Sequence, residues 1–168
     1  MKQTAYVILI GMVMPFLMYA QATSNRLVND VAKMEGLWKG SLTYLDYRSG
    51  KPYTMPADIE IKRIANTNRF LFIHAYPNEQ SANSTDTLTI SNDGRYFDDA
   101  PVISRKVLLK DDVQIITEKI GTDGNDGKKA TIRQTYILGK YHFSKRKDVR
   151  YAGEKNWIKR HEYSYNRP

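Results

Sequence analysis

From Leu37 onward the chain alternates between apolar and polar positions. Trp38, Gly40, Leu42 and Tyr44 fall on one side of an extended segment, and Lys39, Ser41 and Thr43 on the other. A period of two is the mark of a half-buried strand. Ile59 and Ile61, with Ala57 before them, repeat the pattern beside Asp58, Glu60 and Lys62. Ala130, Ile132, Gln134, Tyr136 and Leu138 repeat it again, while Arg69 to Tyr76 is apolar on both sides at its centre. Only ahead of Gly36 does the period change. Leu27, Val28, Val31 and Met34 suit one amphipathic helix of two or three turns, with Ser24 or Asn25 as its cap and Gly36 as its end.

The breaks between strands are short. Asn92-Asp93-Gly94 follows Leu88 and Ile90 and leads to Tyr96 and Phe97, a hairpin signal because Asp-Gly tolerates positive φ. Asp111-Asp112 joins Val102–Lys110 to Val113–Ile120. Gly121 to Gly127 reads as a loop, Gly139 as a bend before Tyr141 and Phe143, and Lys145–Asp148 as a charged connection to a last strand over Asn156 to Tyr165. None of these breaks has room for a parallel crossover. The pattern predicts an all-β fold: an antiparallel up-and-down β-barrel of about 8-10 strands, preceded by a short N-terminal helix. A β-sandwich is the alternative arrangement of the same strands.

The first residues belong to another category. Lys2 precedes an uncharged run from Ala5 to Met14, then Pro15, Phe16 to Ala20, and the triplet Ala20-Gln21-Ala22. This is a secretory signal over residues 1–22, cleaved after Ala22 or Ala20. It falls short of the roughly 20 apolar residues a membrane span needs. Residues 23–168 are then a single domain, periplasmic or extracellular and not membrane-spanning once processed. Among the 168 residues there is no Cys, which excludes a disulfide scaffold, a thiolate nucleophile and cysteine-built metal centres. Three His (His74, His142, His161) are too few for a histidine-rich site. Neither metal nor cofactor is expected.

Gly36-Leu37-Trp38 resembles the Gly-x-Trp signature of lipocalins and related calycin barrels, where it follows a short helix and opens the first strand. Gly40 to Tyr47 is also similar to the first strand of small secreted lipocalin-like bacterial domains. The resemblance implies that Trp38 closes one barrel end and that a basic residue of the last strand packs across its ring. Arg160 is the best match for that residue and Lys159 the second. The Thr-Asp-Tyr triplet and the cysteine pair of larger lipocalins are absent. The implied role is a secreted binding protein for a small hydrophobic or amphipathic ligand.

Aromatic residues on the strands are the candidates for lining such a site: Tyr44, Phe70, Phe72, Tyr76, Tyr96 and Tyr136. Charge supplies the competing reading. Residues 128–168 carry 12 basic and three acidic side chains, net +9, against net −2 for residues 23–127. A filled barrel with that basic surface would be a non-enzymatic envelope or interaction domain in weak contact with an anionic surface. Nucleic acid is not expected as a partner of an exported chain without a recognition module. Enzyme signatures are lacking. His161 and Glu162 are neighbours on a strand and face opposite ways; Asp46 and His74 could approach each other across strands, and the pairs Asp98-Asp99 and Asp111-Asp112 lie beside turns, where Asp is common. The acidic stretch from Asp123 looks like a calcium loop but places Gln134 where a Glu is needed.

Overall fold

The computed structural model describes residues 26–46, 49–124 and 127–168. The expected signal segment, its cleavage positions and the helix cap lie outside these. Residues 26–32 form helix α1. Eleven strands follow: β1 (Gly36–Leu45), β2 (Pro52–Pro56), β3 (Asp58–Arg63), β4 (Arg69–Ala75), β5 (Ser84–Thr89), β6 (Tyr96–Phe97), β7 (Ala100–Val107), β8 (Val113–Asp123), β9 (Lys128–Leu138), β10 (His142–Tyr151) and β11 (Ile158–Asn166). Among the described residues no helix is long and apolar enough to cross a membrane.

All the strand pairs are antiparallel, in the order β5-β4-β3-β1-β11-β10-β9-β8-β7-β6. β2 and β3 lie end to end along β1, with Ala57 between them donating its N–H to the Gly40 carbonyl at 2.9 Å. They act as one bent strand, and β6 has only two residues, so eleven segments make a wall of about the expected size. The ends of the path meet where Ile90 bridges Phe97 and the Asp98 N–H reaches the Thr89 carbonyl at 2.6 Å. The result is a nearly closed barrel with a thinly bonded seam between β5 and β6, and the sandwich alternative falls away.

One end of the barrel is sealed by α1. Leu27, Val28, Val31 and Met34 bury their side chains against Trp38, Phe70, Phe97, Phe143 and Tyr165. The fully buried Trp38 donates its indole N–H to the Met34 carbonyl at 2.7 Å. Asp30 accepts two bonds from the Arg105 guanidinium, at 2.7 and 2.9 Å, which tie the helix to β7. Gly36 turns the chain from helix into β1 at φ +115°, a conformation that side chains resist. Gly40 serves close approach: a Cβ there would lie 2.2 Å from the Ser164 carbonyl on β11.

Two segments depart from the expectation. Gly121-Thr122-Asp123 is strand, paired with Ala130, Lys129 and Lys128, so the loop begins only at Gly124. The ladder takes up backbone groups that a loop would leave to water. Lys145–Asp148 is no connection but the middle of β10, paired on both flanks. The true connection is residues 152–157, and β11 begins at Ile158 rather than Asn156.

Candidate functional site: a polar cavity in the open half of the barrel

Strand alternation carries the interior face past the apolar core. On β10 the inward row runs Phe143, Lys145, Lys147, because Phe143 is buried core and side chains alternate. Their partners on β9 are Leu138, Tyr136 and Gln134, and on β11 Tyr165, Tyr163 and His161. Each row therefore changes from apolar to polar with distance from α1. β4 does the same, from Phe70 and Phe72 to His74, which faces Ser84 on β5.

These residues surround a cavity of about 370 Å³, lined by His74, Tyr76, Asp86, Gln134, Lys145, Lys147, His161 and Tyr163 among others. A second recess of about 230 Å³, with Phe72, Leu88, Asp98 and Tyr136 in its wall, shares His74, Asp86 and Lys145 with the first. A larger groove of about 630 Å³ lies outside the sealed end, between α1 and the turns carrying Lys110 and Tyr141. We take the interior cavity as the site because polar groups from six strands converge there and several have shifted protonation equilibria.

Burial pushes the His161 imidazole down to about 4, with Lys145 and Lys147 adding to the effect and Asp123 opposing it. His74 is lowered too, chiefly by burial and then by Lys145, against the pull of Asp86 3.5 Å from its Nε2. Burial raises the Asp98 carboxyl, reinforced by Asp99. Tyr163 is also raised by burial and by its hydroxyl contact with Tyr76 at 2.9 Å.

The two inward lysines have opposite fates. Lys147 bonds the Asp123 carboxylate at 2.6 Å, and Arg160 bonds its other oxygen at 2.6 Å. Burial alone would raise Asp123, but these two bonds prevail and hold it low. Lys145 makes no hydrogen bond or ion pair to any described residue; its Nζ lies 5.9 Å from the Tyr136 ring centre. Burial dominates there and lowers the ammonium's pKa, against Asp86 and Asp98. His74 Nδ1 and Gln134 Oε1 are buried without hydrogen-bond partners among the described residues.

Of the six aromatic candidates, Phe72 and Tyr136 line the inner recess and Tyr76 the main cavity. Phe70 is spent in the core beneath α1. Tyr44 instead packs on Tyr53 at 5.5 Å and borders a shallow groove with Pro52 and Lys159. Tyr96 is 45% exposed, because its neighbour Phe97 takes the inward position on β6. Trp38 does sit at the sealed end, but the cation over its ring is Arg167, 4.4 Å from the ring centre, not Arg160. Arg160 lies toward the opposite end of β11 and is committed to Asp123 and the Tyr151 hydroxyl. Arg167 also binds the carbonyls of Lys33 and Lys140, at 2.7 and 3.0 Å, so it clamps α1 as well. Asp46 does not meet His74; its carboxylate accepts from the Ser49 hydroxyl at 2.6 Å.

Sequence reasoning missed Lys145, Lys147, His161 and Gln134 as cavity residues. The signal was present in Phe143-Ser144-Lys145-Arg146-Lys147, which keeps the parity of Phe143, and in Tyr165, Tyr163 and His161 on the last strand.

Fold and cavity together define a nearly closed antiparallel barrel with an N-terminal helix. By sequence, no family model and no curated protein matches the chain. Among solved structures, the crystal structure of Rv2717c from M. tuberculosis shares the fold, with a TM-score of 0.56 at 10% sequence identity over 84% of this chain and 96% of that one. At that identity the likeness concerns the fold alone.

Proposed function

We propose that the protein is an exported, non-enzymatic binding protein that takes a small amphipathic molecule into the open half of the barrel. This keeps the lipocalin-like reading suggested by Gly36-Leu37-Trp38 and, of the two ligand classes it implied, takes the amphipathic one. One observation carries it: two recesses share His74, Asp86 and Lys145, the smaller walled by Phe72, Leu88 and Tyr136, the larger lined by His74 and Gln134, whose Nδ1 and Oε1 are buried without hydrogen-bond partners among the described residues. Buried polar groups left unpaired are costly, and a ligand with a polar end would satisfy them.

Native mass spectrometry of the full-length gene product, purified from its own compartment, tests this. The expected result is a bound small molecule that extraction releases and that displaces a hydrophobic fluorescent probe. A bare mass together with a probe that does not bind would overturn the reading. The competing role, an anion-facing interaction domain, draws on the outer wall, where Trp157 lies between Arg133 and Arg150, 4.1 and 4.8 Å from their guanidinium carbons. Binding to anionic vesicles that weakens steeply with salt would favour it.

A further inference from the structure

The unmatched lysine has a further consequence. Lys145 stands where the two recesses meet, with the apolar wall of Phe72, Leu88 and Tyr136 on one side and His74 and Asp86 shared by both recesses. We propose that Lys145 is a nucleophilic amine that captures aldehyde- or ketone-bearing small molecules as a reversible imine inside the barrel. The proposal rests on the ligand-binding reading above and names the chemical class of ligand for that same site.

A lysine attacks a carbonyl only as the free base, which desolvation and cationic neighbours favour. The first condition holds here, while the charged neighbours that bear on Lys145, Asp86 and Asp98, are anionic and oppose it. The charged or titratable groups around the cavity are Lys147 on its own strand, His161 and Tyr163 from β11, Tyr136 from β9, Lys119 from β8, His74 from β4, Asp86 from β5, Asp98 beside β6 and Tyr76 after β4. Burial lowers the affinity of Lys145 for its proton, and no carboxylate stands within ion-pair distance to hold that proton in place. Lys147, by contrast, is engaged by Asp123.

In the reaction the nitrogen lone pair forms a C–N bond to the carbonyl carbon while the C–O π pair moves to oxygen. One amine proton passes to that oxygen to give a carbinolamine. The nitrogen lone pair then expels the hydroxyl, which leaves as water with the second amine proton. Asp98 and His161, both at the cavity, are the groups placed to relay these protons. No oxidant or reductant takes part, and water reverses the step.

The test is to incubate the full chain with hexanal and sodium cyanoborohydride, which reduces an imine to a stable secondary amine, and to map the product by peptide mass spectrometry. Hexanol binding is measured in parallel by probe displacement. Lys145 should acquire the hexyl group roughly tenfold faster than surface lysines. Lys145→Arg, which keeps the charge but not the nucleophile, should lose that adduct, as should Lys145→Met, with the urea midpoint of each variant showing that it is folded. Label spread evenly over the lysines would overturn the proposal. If hexanol binds and Lys145 stays unlabelled, the imine alone fails; if hexanol does not enter, the ligand-binding reading fails and the imine with it.

Discussion

The two halves of the barrel interior are built on the same strands and spent differently. Near α1 the inward residues are Trp38, Phe70, Phe143, Leu138 and Tyr165, packed in one hydrophobic cluster with the apolar face of the helix. Toward the other mouth the same rows continue as Lys145, Lys147, Gln134, His161 and His74 around open space. The first half supplies stability, because burying apolar area is the main favourable term in folding. The second gives some of it up, since desolvated polar groups cost energy unless paired. Where a chain accepts that cost within a cavity, a binding site is the natural explanation.

The comparison is broken most directly at Trp38. Its replacement by Ala should cost about 3–5 kcal/mol in chemical denaturation, from the cavity left under α1. A loss below about 1 kcal/mol would show that the indole does not seal the barrel.

Acid should act mainly on the open half. Burial keeps His161 neutral in the folded protein down to about pH 4, whereas in the unfolded chain it takes a proton at its ordinary value of 6.5. Between those values the unfolded chain binds more protons, so stability falls as pH falls, by up to roughly 3 kcal/mol over the whole window. His161→Leu should flatten that part of the profile, read from urea midpoints at successive pH values. An unchanged slope would mean that His161 is solvated.

The lysines offer a finer contrast. Lys145→Met should leave stability level or raise it slightly, because it removes a desolvated amine with no ion-pair partner among the described residues, whereas Lys147→Met should lower it by about 1 kcal/mol by taking one partner from Asp123. Equal effects from both would erase the distinction between a matched and an unmatched group. The smallest effect belongs outside the barrel. Trp157→Ala should cost about 0.5–1 kcal/mol through its lost stacking on Arg133 and Arg150, and an affinity for anionic vesicles that vanished with it would move attention to the outer wall.

Much of the wall was legible because alternation is a local property. Trp38 to Tyr44, Ile59 and Ile61, and Ala130 to Leu138 announce their strands and the two faces of each, while register alone tells which face is inward. The helix was equally plain from Leu27, Val28, Val31 and Met34. The middle of β10 was not. Four consecutive charged residues look like a solvated connection, since polarity is the usual cue for exposure, and only pairing with β9 and β11 shows Lys145 and Lys147 turned inward. The cation on Trp38 was misplaced for a related reason. Arg160 and Arg167 lie near opposite ends of one strand, and residue type cannot say which end meets the indole.

By itself the sequence determined the antiparallel strands, the short helix before them and the residues available to seal one end, because periodicity and turn chemistry act over a few neighbouring positions. The tertiary structure decided the closure at the Ile90–Phe97 seam, the pairing of Lys147 with Asp123 and the isolation of Lys145. The last two depend on register among strands that are not neighbours in sequence, and register sets which charges meet.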